Sequence, residues 1–86
     1  MHLTPAAAIW IGPVPASNEL ILQVPAQFNG TYAWRLHDAG GRIVLRGDGL
    51  RAGKQTVSID HLSNGMYQMS IWDKERILQQ QWIIKQ

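Results

Sequence analysis

Covalent catalysis would require a nucleophile, a base within hydrogen-bond reach and a group that orients the base. The chain contains no cysteine, so the nucleophile would have to be a hydroxyl. None of the serines stands in a glycine-flanked turn of the nucleophile-elbow type. We expect His61, next to Asp60, to be a solvated loop residue, and His37, next to Asp38, to make a local contact. The sequence therefore predicts a protein that is not an enzyme. The serines and histidines considered are Ser17, Ser58, Ser63, Ser70, His2, His37 and His61.

Metal and phosphate sites are not indicated by the spacing of the residues either. The three histidines are isolated and lack zinc-ligand spacing, and the six acidic residues form no calcium-binding loop. No helical pattern follows Gly40-Gly41 or Gly47-Asp48-Gly49, whereas a phosphate-binding loop requires one. We expect no metal ion and no other cofactor.

Two short strings match known recognition or modification motifs. Arg46-Gly47-Asp48 is the tripeptide that integrins bind, and Asn29-Gly30-Thr31 matches an N-glycosylation acceptor. Both strings also consist of residues that favour tight turns between strands. We therefore expect turns at both places.

Length, composition and charge narrow the class of protein. The 86 residues allow one domain, and a hydrophobic content of 45% excludes a disordered chain. The net charge is +2, but acidic residues interrupt the arginines of the central stretch, so the basic stripe of a nucleic-acid-binding protein is missing. No apolar run is long enough to span a membrane.

Apolar residues alternate with polar ones along much of the chain. Clear examples are Leu20, Leu22 and Val24 in one run, and Tyr67 and Met69 in another. Period two is typical of half-buried strands, and turn signals recur about every 8–12 residues. The pattern predicts an all-β fold, an immunoglobulin-like antiparallel sandwich of about seven strands with no disulfide. The predicted strands cover residues 8–12, 19–24, 31–37, 42–47, 54–59, 65–73 and 76–84.

The last predicted strand is apolar on both faces, because Trp82, Ile83 and Ile84 are consecutive. Either this strand is covered on both faces, or part of it docks on a partner. Gln79–Gln81, earlier in the same strand, are expected to be solvated.

Four short segments of the chain together form a recognisable pattern. They are Pro13-Val14-Pro15-Ala16-Ser17-Asn18-Glu19-Leu20, Leu36-His37-Asp38-Ala39-Gly40-Gly41-Arg42-Ile43-Val44, Leu62-Ser63-Asn64-Gly65-Met66-Tyr67 and Ile83-Ile84-Lys85. With these segments, which run from about residue 12 to the end, the chain resembles the C-terminal sorting domains of type IX secretion cargo in Bacteroidetes. Val14 departs from the family pattern, which has asparagine between the two prolines.

The resemblance implies a non-catalytic secretion signal, with residues 9–86 as the sorting domain and residues 1–8 as a linker or cloning remnant. Such domains are carried by a longer cargo protein and fold in the periplasm. They are recognised by the type IX translocon and an outer-membrane shuttle barrel, and a surface sortase usually removes them. The passenger then reaches the outer membrane, the cell surface or the medium.

Two alternatives remain open. The domain could be retained at the surface as a fixed part or signalling element of the same apparatus. It could also be a carbohydrate- or protein-binding adhesion module, which would expose a coplanar aromatic pair such as Trp10 and Trp72 on one face.

Several residues of the matching segments are candidates for partner recognition. Asp38, Gly41 and Arg42 would shape a hairpin and present charge beside it, although a tight turn with a local ion pair is the simpler explanation. For Gly65 and Tyr67 the simpler explanation is a turn glycine and a core aromatic.

The end of the final strand is a further candidate, because a strand edge can donate main-chain hydrogen bonds to a partner. Lys85 and the chain end would add a polar anchor to this contact, and the same strand could pair two copies of the chain. The residues concerned are Ile83, Ile84, Lys85 and Gln86.

Overall fold

Seven β-strands and their connections make up residues 8–86, which are the residues that the computed structural model describes. The predicted all-β class is confirmed, and most predicted strand boundaries lie within one or two residues of the observed ones. The predicted linker over residues 1–8 lies, except for Ala8, outside the described residues. The strands are β1 (Trp10–Gly12), β2 (Glu19–Val24), β3 (Tyr32–Asp38), β4 (Ile43–Leu50), β5 (Gly53–Ser58), β6 (Gly65–Asp73) and β7 (Arg76–Lys85).

The strands form two antiparallel sheets that pack face to face. One sheet has the order β1-β2-β5 and the other the order β4-β3-β6-β7. In the constant-type immunoglobulin sandwich the fourth strand belongs to the sheet of the first, second and fifth strands. Here β4 pairs with β3 instead, with Leu36 opposite Leu45. The immunoglobulin-like architecture is therefore confirmed, with its fourth strand in the other sheet.

The core lies between the sheets and is filled by alternate residues of the strands. Leu20 and Leu22 of β2 and Met69 and Ile71 of β6 are fully buried, as the period-two pattern predicts. Each such side chain contributes about 1.5–3 kcal/mol to folding. Ile83 of β7 belongs to the same core. The residues between these inward positions on β6 and β7 therefore point outward and determine what this sheet presents to a partner.

Gly47 and Gly49 lie within β4, so the turn predicted at Gly47-Asp48-Gly49 is wrong. Gly49 has a φ of 74° close to a shift of register in the β3–β4 pairing. This positive φ serves a β-bulge rather than a chain reversal. A Cβ on Gly47 would lie 2.5 Å from the indole nitrogen of Trp34, so this glycine makes room for the ring. The tripeptide Arg46-Gly47-Asp48 is accordingly part of a strand.

Candidate functional site

Four segments that are distant in sequence meet at one end of the sandwich. Asp38 at the end of β3 pairs with Tyr67 of β6, and Tyr67 pairs with Ile83 of β7. Ala16 forms a parallel bridge to Lys85, the last residue of β7. The fold thus joins the segments that the sequence analysis singled out into one surface, which we call the motif end. It comprises Ala16 and residues 38–42, 62–67 and 83–86.

The turn between β3 and β4 is held by the carboxylate of Asp38. Its Oδ1 accepts hydrogen bonds from the main-chain N–H groups of Gly40 (3.0 Å) and Arg42 (2.9 Å). The bond from the Arg42 N–H is the main cause that lowers the pKa of Asp38 below its ordinary value of 3.8. Gly41 has a φ of 87°, which glycine adopts without strain. The Asp38 carboxylate also pairs with Arg42 at 3.4 Å, and the Arg42 side chain stays largely exposed.

Tyr67 fixes the loop that precedes β6. Its ring is buried, and its hydroxyl donates a hydrogen bond to the carbonyl oxygen of Ser63 at 2.6 Å. A tyrosine near the start of the sixth strand that bonds to the main chain a few residues upstream is the tyrosine corner of immunoglobulin-like sandwiches. Gly65 begins β6 with a φ of 153°, a conformation that residues with a side chain rarely adopt. Both residues therefore shape the motif end.

The edge of β7 at the motif end is already paired. The N–H of Ala16 donates to the carbonyl oxygen of Ile84, and the N–H of Gln86 donates to the carbonyl oxygen of Ala16, both at 2.8 Å. Ile83 is buried in the core, and Lys85 is only 8% exposed. In this conformation, Ile83 and Lys85 hold the strand in place, and a partner would meet the side chain of Ile84 rather than this main-chain edge.

One face of β7 is open to solvent. Trp82 is 53% exposed and Ile84 39%, so the alternative in which the last strand is covered on both faces is wrong. Met66 of β6 lies directly opposite Ile84 and is also exposed. Contiguous exposed apolar side chains are often part of interaction sites, so this surface is a candidate. We call this surface of the four-stranded sheet the outer apolar face; it consists of Met66, Ile77, Trp82 and Ile84.

Two grooves border the motif end, and both are lined by Asp38 and Ala39. The first has a volume of about 470 Å³ and lies between the Asp38 turn and the loop before β6, which contributes Asn64. The second has a volume of about 400 Å³ and lies on the outside of the four-stranded sheet, where Trp72 and Trp82 line it. A partner that contacts the motif end therefore meets a concave surface on each side of the β3–β4 turn.

Gln79 and Gln81 have a structural role, whereas the sequence predicted that Gln79–Gln81 would be solvated. The Gln79 amide donates to the carbonyl oxygen of Ile9 at 2.7 Å and accepts from its N–H at 3.0 Å. Gln81 donates to the carbonyl oxygen of Ile11 at 2.9 Å. Strand alternation places both glutamines on the inward side with Ile83, which is the signal that could have identified them.

The aromatic pair expected of an adhesion module does not form. Trp10 lies on β1 and Trp72 on β6, so the two rings belong to different sheets. The guanidinium of Arg35 lies over the Trp72 ring, 4.2 Å from its centre, and the Trp72 Nε1–H donates to the buried Ser70 hydroxyl at 2.9 Å. Trp72 and Trp82 instead both line the second groove.

The histidines are separated in the fold. His37 lines the second groove, whereas His61 lines the first and has its Nδ1 3.6 Å from an oxygen of Asp60. Residues 8–86 contain no cluster of three or more side chains that could hold a metal ion. Nor does this part of the chain contain a helix with the length and apolar character needed to cross a bilayer.

Comparison with known proteins relates the chain to a family. The family model described as secretion system C-terminal sorting domain matches residues 11–85, which include nearly all of the motif end. No curated protein and no solved structure matches the chain.

Proposed function

Because the chain belongs to the family of secretion system C-terminal sorting domains, we propose that it directs a passenger protein across the outer membrane through the type IX system. Membership in this family implies interaction with the secretion apparatus and export to the cell surface or the medium. The family is not known as catalytic, and we propose that this domain acts only by being bound. We also propose that it passes through the periplasm, is met by an outer-membrane shuttle barrel and is then removed by a surface sortase.

The meeting of the four family segments at the motif end carries this proposal. A domain that is recognised while folded must present its signal on the surface, and segments that are separate in sequence can act together only where the fold joins them. The exposed side chains of Arg42, Met66 and Ile84 lie on this end, and the exposed Trp82 adjoins it. These side chains offer one charged and several apolar contacts to the apparatus.

We propose that recognition uses side chains rather than the main-chain edge of β7. The bonds between Ala16 and the end of β7 support this choice, because they would have to break before a partner strand could pair there. Asp38, Gly41, Gly65 and Tyr67 would then act by holding the shape of the motif end.

Export of a reporter tests the proposed function. The chain is fused behind a reporter that carries a signal peptide, and the fusion is produced in a Bacteroidetes host with and without a working type IX system. We expect the reporter at the surface in the first strain and in the periplasm of the second. Surface reporter in both strains would contradict the proposal. In the same cells, loss of the domain from the surface reporter indicates sortase removal, and an uncut fusion indicates retention.

A further inference from the structure

The groove on the outside of the four-stranded sheet is lined by both aromatic and polar side chains. Trp72 and Trp82 line it, and Gln68, Gln80 and His37 contribute hydrogen-bonding groups. The residues that line the groove therefore combine apolar surface with side chains that can donate or accept hydrogen bonds.

On the opposite side of β7, glutamine side chains bind main-chain groups. Gln79 and Gln81 hold the extended main chain at Ile9 and Ile11 through their side-chain amides. A glutamine amide can do so because it carries both a donor and an acceptor, like a peptide group. Gln80 lies between these two residues, points to the other side of the sheet and is exposed in the groove. Within residues 8–86 its amide makes no hydrogen bond, so it is available to a second extended chain.

We propose that this groove binds an extended polypeptide segment of the secretion apparatus, which lies along β7. Apolar side chains of the segment pack against Trp82 and Ile77, and its main-chain groups bond with Gln80, Gln68 and His37. The inference rests on the proposed function and names the form of the partner.

A peptide fits this surface better than a carbohydrate does. Ile77 is 43% exposed in the lining of the groove, and Met66 and Ile84 continue the apolar surface beyond Trp82. Aliphatic side chains favour apolar groups and do not satisfy sugar hydroxyls. The Trp72 ring, on which a sugar would stack, is already in contact with the Arg35 guanidinium.

The register of β6 and β7 sets the length of the segment. Ile77 lies opposite Trp72 and Trp82 opposite Gln68, so the two β7 positions correspond to a separation of four residues on β6. At about 3.4 Å per residue this is roughly 14 Å along the strand. An extended peptide spans that distance with about four residues.

Photo-cross-linking in exporting cells tests the inference. p-Benzoylphenylalanine replaces Trp82, Ile77 or Trp10 in the reporter fusion, and mass spectrometry locates the cross-linked residues after irradiation. Trp10 is the matched control, because it is 54% exposed but lies on the other sheet. We expect Trp82 and Ile77 to cross-link to one segment of an apparatus protein, about four residues apart, and Trp10 not to reach that segment. Gln80→Ala should lower the yield roughly fivefold to tenfold.

Other outcomes overturn the inference. Cross-links to residues far apart in sequence would indicate a folded surface, and cross-links to lipopolysaccharide would indicate a carbohydrate ligand. No cross-link at Trp82 or Ile77 in cells that export the fusion refutes the groove while leaving the proposed function intact. Surface reporter without a working type IX system refutes the proposed function itself.

Discussion

The side chain of Gln79 and the main chain of Ile9 exchange two hydrogen bonds across the seam between the two sheets, at 2.7 and 3.0 Å. Ile9 is only 2% exposed, so its N–H and carbonyl groups could not turn to bulk water instead. A side-chain amide here takes the place of the main-chain ladder that joins neighbouring strands within a sheet. The seam is therefore closed by β7, the strand that also carries Trp82 and Ile84 on its other face.

Gln79→Ala is expected to lower the free energy of unfolding by roughly 2–4 kcal/mol, because it leaves both main-chain groups of Ile9 buried without a partner. Urea denaturation measures the change. Gln80→Ala on the exposed side of the same strand is the control and should change stability by about 0.5 kcal/mol or less. Equal effects of the two substitutions would show that the Gln79 amide does not stabilise the seam.

Gly47→Ala is expected to destabilise the domain by about 1–3 kcal/mol, since the new Cβ would lie 2.5 Å from the Trp34 indole nitrogen and the ring must move. Near-ultraviolet circular dichroism should report the altered packing of the indole. Gly40→Ala is the control, because its Cβ would meet only a carboxylate oxygen of Asp38 at 3.5 Å. A Gly47→Ala protein as stable as the Gly40→Ala protein would argue against this packing role.

Period-two alternation was sufficient to predict the strands and the inward faces of β2 and β6, because one face of each strand is buried. The prediction of a turn at Gly47-Asp48-Gly49 was wrong, because it was based on the glycine content of this segment rather than on alternation. A bulge and a chain reversal both use a positive φ, and the sequence alone does not distinguish them. Gly47 leaves space for the Trp34 ring because β3 and β4 pair at these two residues. The sequence alone does not show this pairing.

The segments of the motif end could be identified from the sequence, but the role of each residue could not. Trp82, Ile83 and Ile84 are all apolar, so hydropathy does not show which of them faces the core. The pairing of Ile83 with the buried Tyr67 decides this, because a shift by one residue would exchange the two faces. Lys85 was expected to be a polar anchor for a partner, and the structure places it mostly out of solvent.

Asp38 should make the stability of the domain depend on pH in acid. Its pKa is lowered in the folded state, chiefly by the hydrogen bond from the Arg42 N–H, so its ionised form is favoured by folding. This contribution is fully present above the ordinary pKa of 3.8 and is lost as the pH falls from there through the lower folded-state pKa.

Urea midpoints of the parent and Asp38→Asn proteins between neutral pH and the acid limit of folding measure this contribution. The difference between the two proteins should be largest at neutral pH and shrink below about pH 4. Asp60, whose pKa the Ser58 hydroxyl lowers, remains in both proteins and cancels in the comparison. A difference that does not change with pH would refute the role of the ionised carboxylate.

Ile83→Ala is expected to cost about 2–5 kcal/mol of stability, since it opens a cavity in the core, whereas Ile84→Ala beside it should cost much less. Thermal or urea unfolding of the two variants makes this comparison directly. Removal of residues 83–86 would likewise take away Ile83 and the bridge to Ala16. A truncation of this kind would therefore combine loss of folding with loss of recognition, and point substitutions are the sharper test.

Trp82→Ala should reduce export of the reporter fusion by roughly tenfold or more, because an aromatic side chain at the centre of an interface commonly supplies much of its affinity. Trp10→Ala should leave export close to that of the parent, since this tryptophan has nearly the same exposure, 54% against 53%, but lies on the other sheet. The amount of surface reporter and the unfolding midpoint of each purified domain are measured together. Similar midpoints with unequal export would assign the loss to recognition, and equal export by the two variants would remove Trp82 from the docking surface.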